Sequence, residues 1–270
     1  MFRSIALGGG GVRGGIMVGG LAALEKTQPL VFPDGIYGCS VGSILATAVA
    51  FNLPIAEIRT MFDNDFSMSS MMPSIGINSL FGFSSKKGLY SMDMMGTSLL
   101  KIFKKNGIDI ENKTIADAPQ KLYILASNMT TRKPVFLTGD VPIIDAIKCS
   151  CCLPGLFHPQ ILYNNVYMDG AILVHNIHTV VPQNCLVFHI CRGELNLFPK
   201  QVESMTILEL FGTIYESSRT TVLPTNVISF KNDKIAILQE LTPAIKKEMF
   251  DYGLSTASRF LAKRAAEELK

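Results

Sequence analysis

The sequence predicts an α/β fold, a three-layer α/β/α sandwich around a mainly parallel central sheet, and three features carry that expectation. Residues 2–7 read as a short strand running into Gly8-Gly9-Gly10-Gly11-Val12-Arg13-Gly14, from which an apolar helix departs over residues 15–26. A second short strand, Gly35-Ile36-Tyr37, ends in Gly38-Cys39-Ser40-Val41-Gly42. Residues 43–52 are then apolar on every side, the pattern of a helix buried within a protein rather than laid on its surface. Two successive strand-helix units imply parallel strands with helices packed on the sheet faces.

Further elements follow in order. Residues 63–90 are rich in Met, Ser and Gly without a clean period, and a long irregular stretch of that kind predicts either a lid or irregular packing over the core. Residues 94–105 are expected to be helical, 122–126 and 135–137 to be strands, and 143–151 to form a helix that stops before Pro154. Residues 161–168 lead into Asp169-Gly170, and 185–190 read as another buried strand. A helix near 202–218, a strand at 227–230 and a long helix from about Pro243 complete the chain. At 270 residues the chain suits one hydrophobic core. Residues 2–180 are expected to form the catalytic core, with 181–270 adding strands and helices to the same domain.

Composition narrows the function. Charged residues make up 17% of the chain, against about 25% in an average soluble protein, so a large core or an apolar working surface is expected. Net charge is only +3 and no block of five or more like charges occurs, which argues against nucleic acid as a partner. No run of 18 apolar residues is present, so no transmembrane segment is expected. Met1-Phe2-Arg3 leads directly into a strand rather than a secretory leader, which predicts a cytoplasmic protein able to work peripherally at membranes. The six cysteines lack paired C-x-x-C spacing and read as buried thiols, not as a metal site. His175 and His178 have no acidic or cysteine neighbour at ligand spacing, so neither a metal nor another cofactor is expected.

The second glycine turn is G-x-S-x-G. Gly38 and Gly42 let strand and helix approach closely at a sharp turn, which lifts the Ser40 hydroxyl above the sheet edge as a candidate nucleophile. In the first turn, Gly9, Gly10 and Gly11 offer consecutive backbone N–H groups with no side chains in the way, as an oxyanion hole requires. Arg13 stands near a helix start, where a cation opposes the helix dipole and needs a carboxylate, a carbonyl or a lipid phosphate for company. Serine also needs a base, and Asp169 or one of the four histidines is available for that role.

Two more segments give the pattern its specificity: Ser150-Cys151-Cys152-Leu153-Pro154-Gly155-Leu156-Phe157-His158-Pro159, and then Asp169-Gly170-Ala171. With the two glycine turns, in this order, they resemble the patatin-like phospholipase family over roughly residues 2–180. The resemblance implies a patatin-like sandwich and hydrolysis of fatty-acyl esters of phospholipids or other acyl lipids at a membrane surface. It also implies a Ser40–Asp169 dyad in place of a histidine triad, an oxyanion loop at Gly9, Gly10 and Gly11, and motif support from Arg13 and Gly170. The chain departs from the family pattern at Gly8, where aspartate is common, and at Cys149, where alanine is common.

Two other functions compete. Gly9 to Gly14 also satisfies the G-x-G-x-x-G pattern of dinucleotide binding, with Asp34 as the acidic partner, but Asp34 precedes the second strand instead of ending it. A catalytically silent lipid-binding module is disfavoured because both members of the dyad are present.

Overall fold

Strands covered on both faces carry continuous apolar runs, not alternating ones, and the first two strands follow that rule. The computed structural model describes residues 1–67, 69, 85–191, 199, 203, 205, 213, 223–232, 235 and 239–268. Its strands are Ser4–Leu7 (β1), Gly35–Cys39 (β2), Gly88–Tyr90 (β3), Leu122–Asn128 (β4), Lys133–Leu137 (β5), Gly155–Phe157 (β6), Gln160–Leu162 (β7), Asn165–Asp169 (β8), Leu186–Cys191 (β9) and Val227–Lys231 (β10). Its helices are Gly14–Glu25 (α1), Val41–Ala50 (α2), Ile55–Thr60 (α3), Met92–Lys105 (α4), Ile143–Cys151 (α5) and Pro243–Glu268 (α6).

The main sheet is mixed, with its central strands all parallel. β10, β9, β1, β2 and β4 lie side by side in that order, each parallel to its neighbour. β5, β8 and β7 add an antiparallel extension around β4. A small separate sheet pairs β3 with β6. Alternate residues of the central strands feed two apolar clusters: Ile5, Leu7, Ile36 and Phe188 face the helices, whereas Ala6, Tyr37, Cys39 and Val187 face the other way. That second face is covered, among the described residues, by Ala171, Val174, Ile177 and Val181, on and just after the two short turns that follow β8.

One consequence of register places the site. On β4, Leu125 pairs with Cys39 of β2, and the next residue, Ala126, pairs with Asp169 of β8. β5 pairs with both of these β4 residues and so occupies the opposite edge. β2 and β8 therefore share one edge of β4, run toward each other, and meet end to end. The residue that follows Cys39 is Ser40.

The predicted elements recur with small shifts, and Ile143–Cys151 matches its expected bounds. The stretch 161–168 turns out to be a hairpin, because Tyr163 and Asn164 both take positive φ (47° and 60°), the requirement of a type I′ turn. The helix expected near 202–218 and most of the lid expected at 63–90 lie outside the described residues. The ends of the latter are described: one π-helical turn at Met61–Asp65 and strand β3.

Candidate active site

Ser40 occupies the bend between β2 and α2 at φ 53° and ψ −130°. Such a conformation costs a residue with a Cβ about 1–3 kcal/mol and persists only where the surroundings enforce it. Gly42 provides the enforcement: a side chain there would put its first carbon 2.0 Å from the Leu7 carbonyl oxygen. One at Gly38 would come within 2.6 Å of the Gly42 oxygen and the Ser43 Cα. Helix α2 therefore starts directly against β1 and β2. The Ser40 carbonyl accepts both the N–H and the hydroxyl of Ser43, at 2.7 and 2.6 Å. Ser40 itself is half-buried and reachable from outside.

Ser150, fully buried on α5, locks this bend to the neighbouring strand. Its hydroxyl accepts the Ser40 N–H at 2.9 Å and donates to the Leu125 carbonyl at 2.7 Å. It is a bridge between the serine turn and β4.

Asp169 is buried to 1% exposure at the end of β8. Its N–H donates to the Cys152 carbonyl at 2.9 Å, and its Oδ1 accepts the Ala171 N–H at 2.9 Å, which caps the short turn that follows. Gly170 is required at that turn, since a Cβ would lie 2.5 Å from the Leu125 oxygen and 2.9 Å from Cys39 Sγ. The turn is clasped from β4 by Ser127, whose hydroxyl donates to the Gly170 carbonyl at 3.2 Å and accepts the Leu173 N–H at 3.1 Å.

The glycine loop closes the third side. A Cβ built on Gly9 would sit 3.4 Å from the Ser40 Cβ and 3.9 Å from the Ala171 Cβ, so Gly9 lies between the serine turn and the aspartate turn. Gly11 takes positive φ (56°), a conformation that favours glycine. Arg13, at 1% exposure, folds back so that its Nε and its own N–H both donate to the Gly10 carbonyl, at 3.1 and 3.2 Å. Of the partners open to Arg13 from sequence, the structure thus supplies a backbone carbonyl. A trans peptide directs its C=O and N–H to opposite sides, so anchoring the Gly10 oxygen turns the Gly11 N–H away from Arg13.

The thiols beside Asp169 are shifted upward. Burial first, and the Asp169 carboxylate second, push the Cys152 thiol up to about 12, and the same causes push Cys151 far above its usual range. Burial likewise raises Cys149 and Cys185 to about 12. These thiols are protonated and inert near neutrality.

The histidines are dispersed. His158 lies near Lys86, Gly88 and Asp93, His175 is exposed, and burial lowers the pKa of half-buried His178. His189 is buried within β9 at the register position of Ser229. Among the described residues, no three His, Cys, Asp or Glu side chains converge as metal ligands would. The dinucleotide reading fails on position: Asp34 pairs with Arg3 at 2.8 Å, at the end of β1 and β2 opposite the glycine loop. A ribose-binding carboxylate belongs at the same end as the glycines.

A family model described as patatin-like phospholipase matches residues 5–180. An uncharacterised protein of Acanthamoeba polyphaga mimivirus is 29% identical over 180 residues, which cover 63% of this chain and 58% of that relative. The chain thus spans under two thirds of that relative's length. Among solved structures, VipD from Legionella pneumophila aligns with a TM-score of 0.56 at 15% identity, over 97% of this chain and 67% of VipD. A chain of the heterodimeric ExoU–SpcU complex from the type III secretion system of Pseudomonas aeruginosa aligns at 0.51 and 17% identity, over 97% and 52%. At these identities the structural likeness speaks for the fold.

Proposed function

Because the chain belongs to the patatin-like phospholipase family, we propose that it is a lipid acyl hydrolase of phospholipase A type, cleaving fatty-acyl esters of membrane lipids through a Ser40–Asp169 dyad. The observation that carries this reading is the end-to-end meeting of β2 and β8 on one edge of β4, which brings the Ser40 turn beside Asp169 with Gly9 packed between the two turns. Residues 2–180 form the catalytic core in this reading, and 181–270 pack on the same domain.

The chemistry follows from the residue types. Ser40 Oγ attacks the ester carbonyl carbon while its proton passes to an Asp169 oxygen. The carbonyl electron pair moves onto oxygen, and N–H groups of Gly9, Gly10 and Gly11 together with the positive end of α2 hold that oxyanion. Collapse expels the lipid alcohol, which takes the proton from Asp169 and leaves the acyl group on Ser40. Water then repeats the sequence, with Asp169 again as base, and the free acid departs. Every proton and electron pair has a carrier in these residues, so the reaction needs no metal or organic cofactor. A carboxylate is a weak base in water, and the near-complete burial of Asp169 raises its usefulness by removing competing solvent.

The test is labelling by a lipid-like fluorophosphonate followed by peptide mapping. The adduct is expected on Ser40, with Ser40→Ala unlabelled and unable to release fatty acid from phospholipid vesicles. An adduct elsewhere, or acyl release by Ser40→Ala, would refute the assignment.

A further inference from the structure

The β7–β8 hairpin has its tip at Tyr163 and Asn164, away from the site, and its second strand ends at Asp169. Ile161 and Val166 are register partners and face the same way, and they are 77% and 37% exposed. On the other face Tyr167 is buried and Leu162 packs against the core. An antiparallel hairpin with one face on the core ordinarily presents polar residues on the other. This one presents isoleucine and valine, with Tyr163, 63% exposed, at the tip. Of the six large exposed apolar residues among those described, these are three, while Met1, Val31 and Met94 are scattered elsewhere. A cluster of that kind marks an interaction surface.

The charge beside it selects the partner. The β4–β5 turn lies against the hairpin: the Met129 N–H donates to the Val166 carbonyl at 2.8 Å, and the Val166 N–H donates to Thr130 Oγ1 at 2.9 Å. That turn ends with Arg132, and Lys133 opens β5; both are exposed. Neither 128–138 nor 154–168 contains an aspartate or a glutamate. An apolar tip with an aromatic residue, bordered by two cations in segments that hold no acid, fits the headgroup zone of an anionic bilayer.

We propose that the β7–β8 hairpin is the membrane-docking tip: Ile161, Tyr163 and Val166 enter the interfacial zone of a bilayer whose anionic phosphates meet Arg132 and Lys133. The inference rests on the lipid hydrolase reading, and it gives that reading a direction, since the same hairpin ends on Asp169.

The experiment is vesicle co-sedimentation of the full chain carrying Ser40→Ala, so that the lipid stays intact and binding is read apart from catalysis. Phosphatidylcholine vesicles are compared with phosphatidylcholine vesicles containing a minority of phosphatidylserine. Ile161→Ser, Tyr163→Ser and Val166→Ser together should weaken binding to both kinds by roughly tenfold or more. Arg132→Gln with Lys133→Gln should remove the preference for phosphatidylserine and its salt dependence. In the active chain, turnover of a monomeric short-chain ester should stay within about twofold of wild type for both variants. Unchanged vesicle binding in the triple variant would overturn the proposal, as would a wild type that ignores vesicles. So would a change in oligomeric state without any change in binding, which would assign the hairpin to pairing between copies of the chain.

Discussion

Gly9 and Gly42 both border the turn of Ser40, yet a methyl group would act differently at each. At Gly42 it would collide with the Leu7 carbonyl at 2.0 Å, a backbone atom that cannot yield, so Gly42→Ala should fail to form the bend and lose the folded state. At Gly9 it would meet Ser40 Cβ at 3.4 Å, an ordinary contact. Gly9→Ala is therefore expected to melt within a few degrees of wild type while, under the proposed mechanism, acyl release falls by about tenfold or more, because the methyl group would crowd the proposed oxyanion loop beside Ser40. A melting scan beside an acyl-release assay separates the two effects. Ser150→Ala removes an acceptor from the Ser40 N–H and a donor from the Leu125 carbonyl, both buried, and should lower stability by about 1–3 kcal/mol in urea titrations as well as slow turnover. Ser40 and Asp169 could be singled out as candidates in the sequence because Gly38 and Gly42 flank the one and Gly170 follows the other, in a recognisable order. The bridging role of Ser150 was not, since its partners are backbone atoms 110 and 25 residues away, and backbone atoms leave no mark in a sequence.

Among elements, the central strands and their helices were readable because each is apolar, short and followed by a glycine turn or a buried helix. The hairpin β7–β8 was read as one stretch because its turn uses Tyr163-Asn164 without the glycine that ordinarily announces a two-residue loop. β3 and β6 are three residues each and stand only because they pair with each other, a non-local fact. The crossing of α1 and α6 depends on glycine at close range. A Cβ on Gly253 would lie 1.9 Å from the Ile16 carbonyl oxygen, and one on Gly19 would lie 2.0 Å from the Phe250 oxygen. Gly253→Ala must push the long helix off its seat, with an expected loss of about 2–4 kcal/mol in denaturant unfolding. Neither glycine's near neighbours include a residue of the Ser40 turn, so the fraction that stays folded should still take a fluorophosphonate label on Ser40. A variant as stable as wild type would show that the helices do not approach this closely.

Across the whole molecule, the thiols report on the folded state. Cys149, Cys152 and Cys185 hold pKa values raised from 9.0 to about 12, chiefly by burial, whereas the unfolded chain releases those protons near the ordinary value. Folded and unfolded forms therefore bind equal protons below about pH 8, and the unfolded form loses its protons first as pH climbs. Stability should thus fall from pH 9 toward 12, and thiol reagents near neutrality should reach these three cysteines only as the chain opens. Rapid labelling of any of them in the native protein would contradict their burial. The parallel core was visible from sequence through its two strand-helix units. That the Ser40 turn and Asp169 lie where one parallel and one antiparallel strand abut on β4 emerges only from register. The measurement that bears most directly on the whole account is acyl release from phospholipid vesicles by Asp169→Asn set beside alanine variants of His158, His175, His178 and His189, with folding checked for each. Asp169→Asn should abolish turnover with the fold intact, and every histidine variant should keep at least about a tenth of it. Persistent activity in Asp169→Asn, or one inactive histidine variant of normal stability, would move the base away from Asp169 and contradict the dyad.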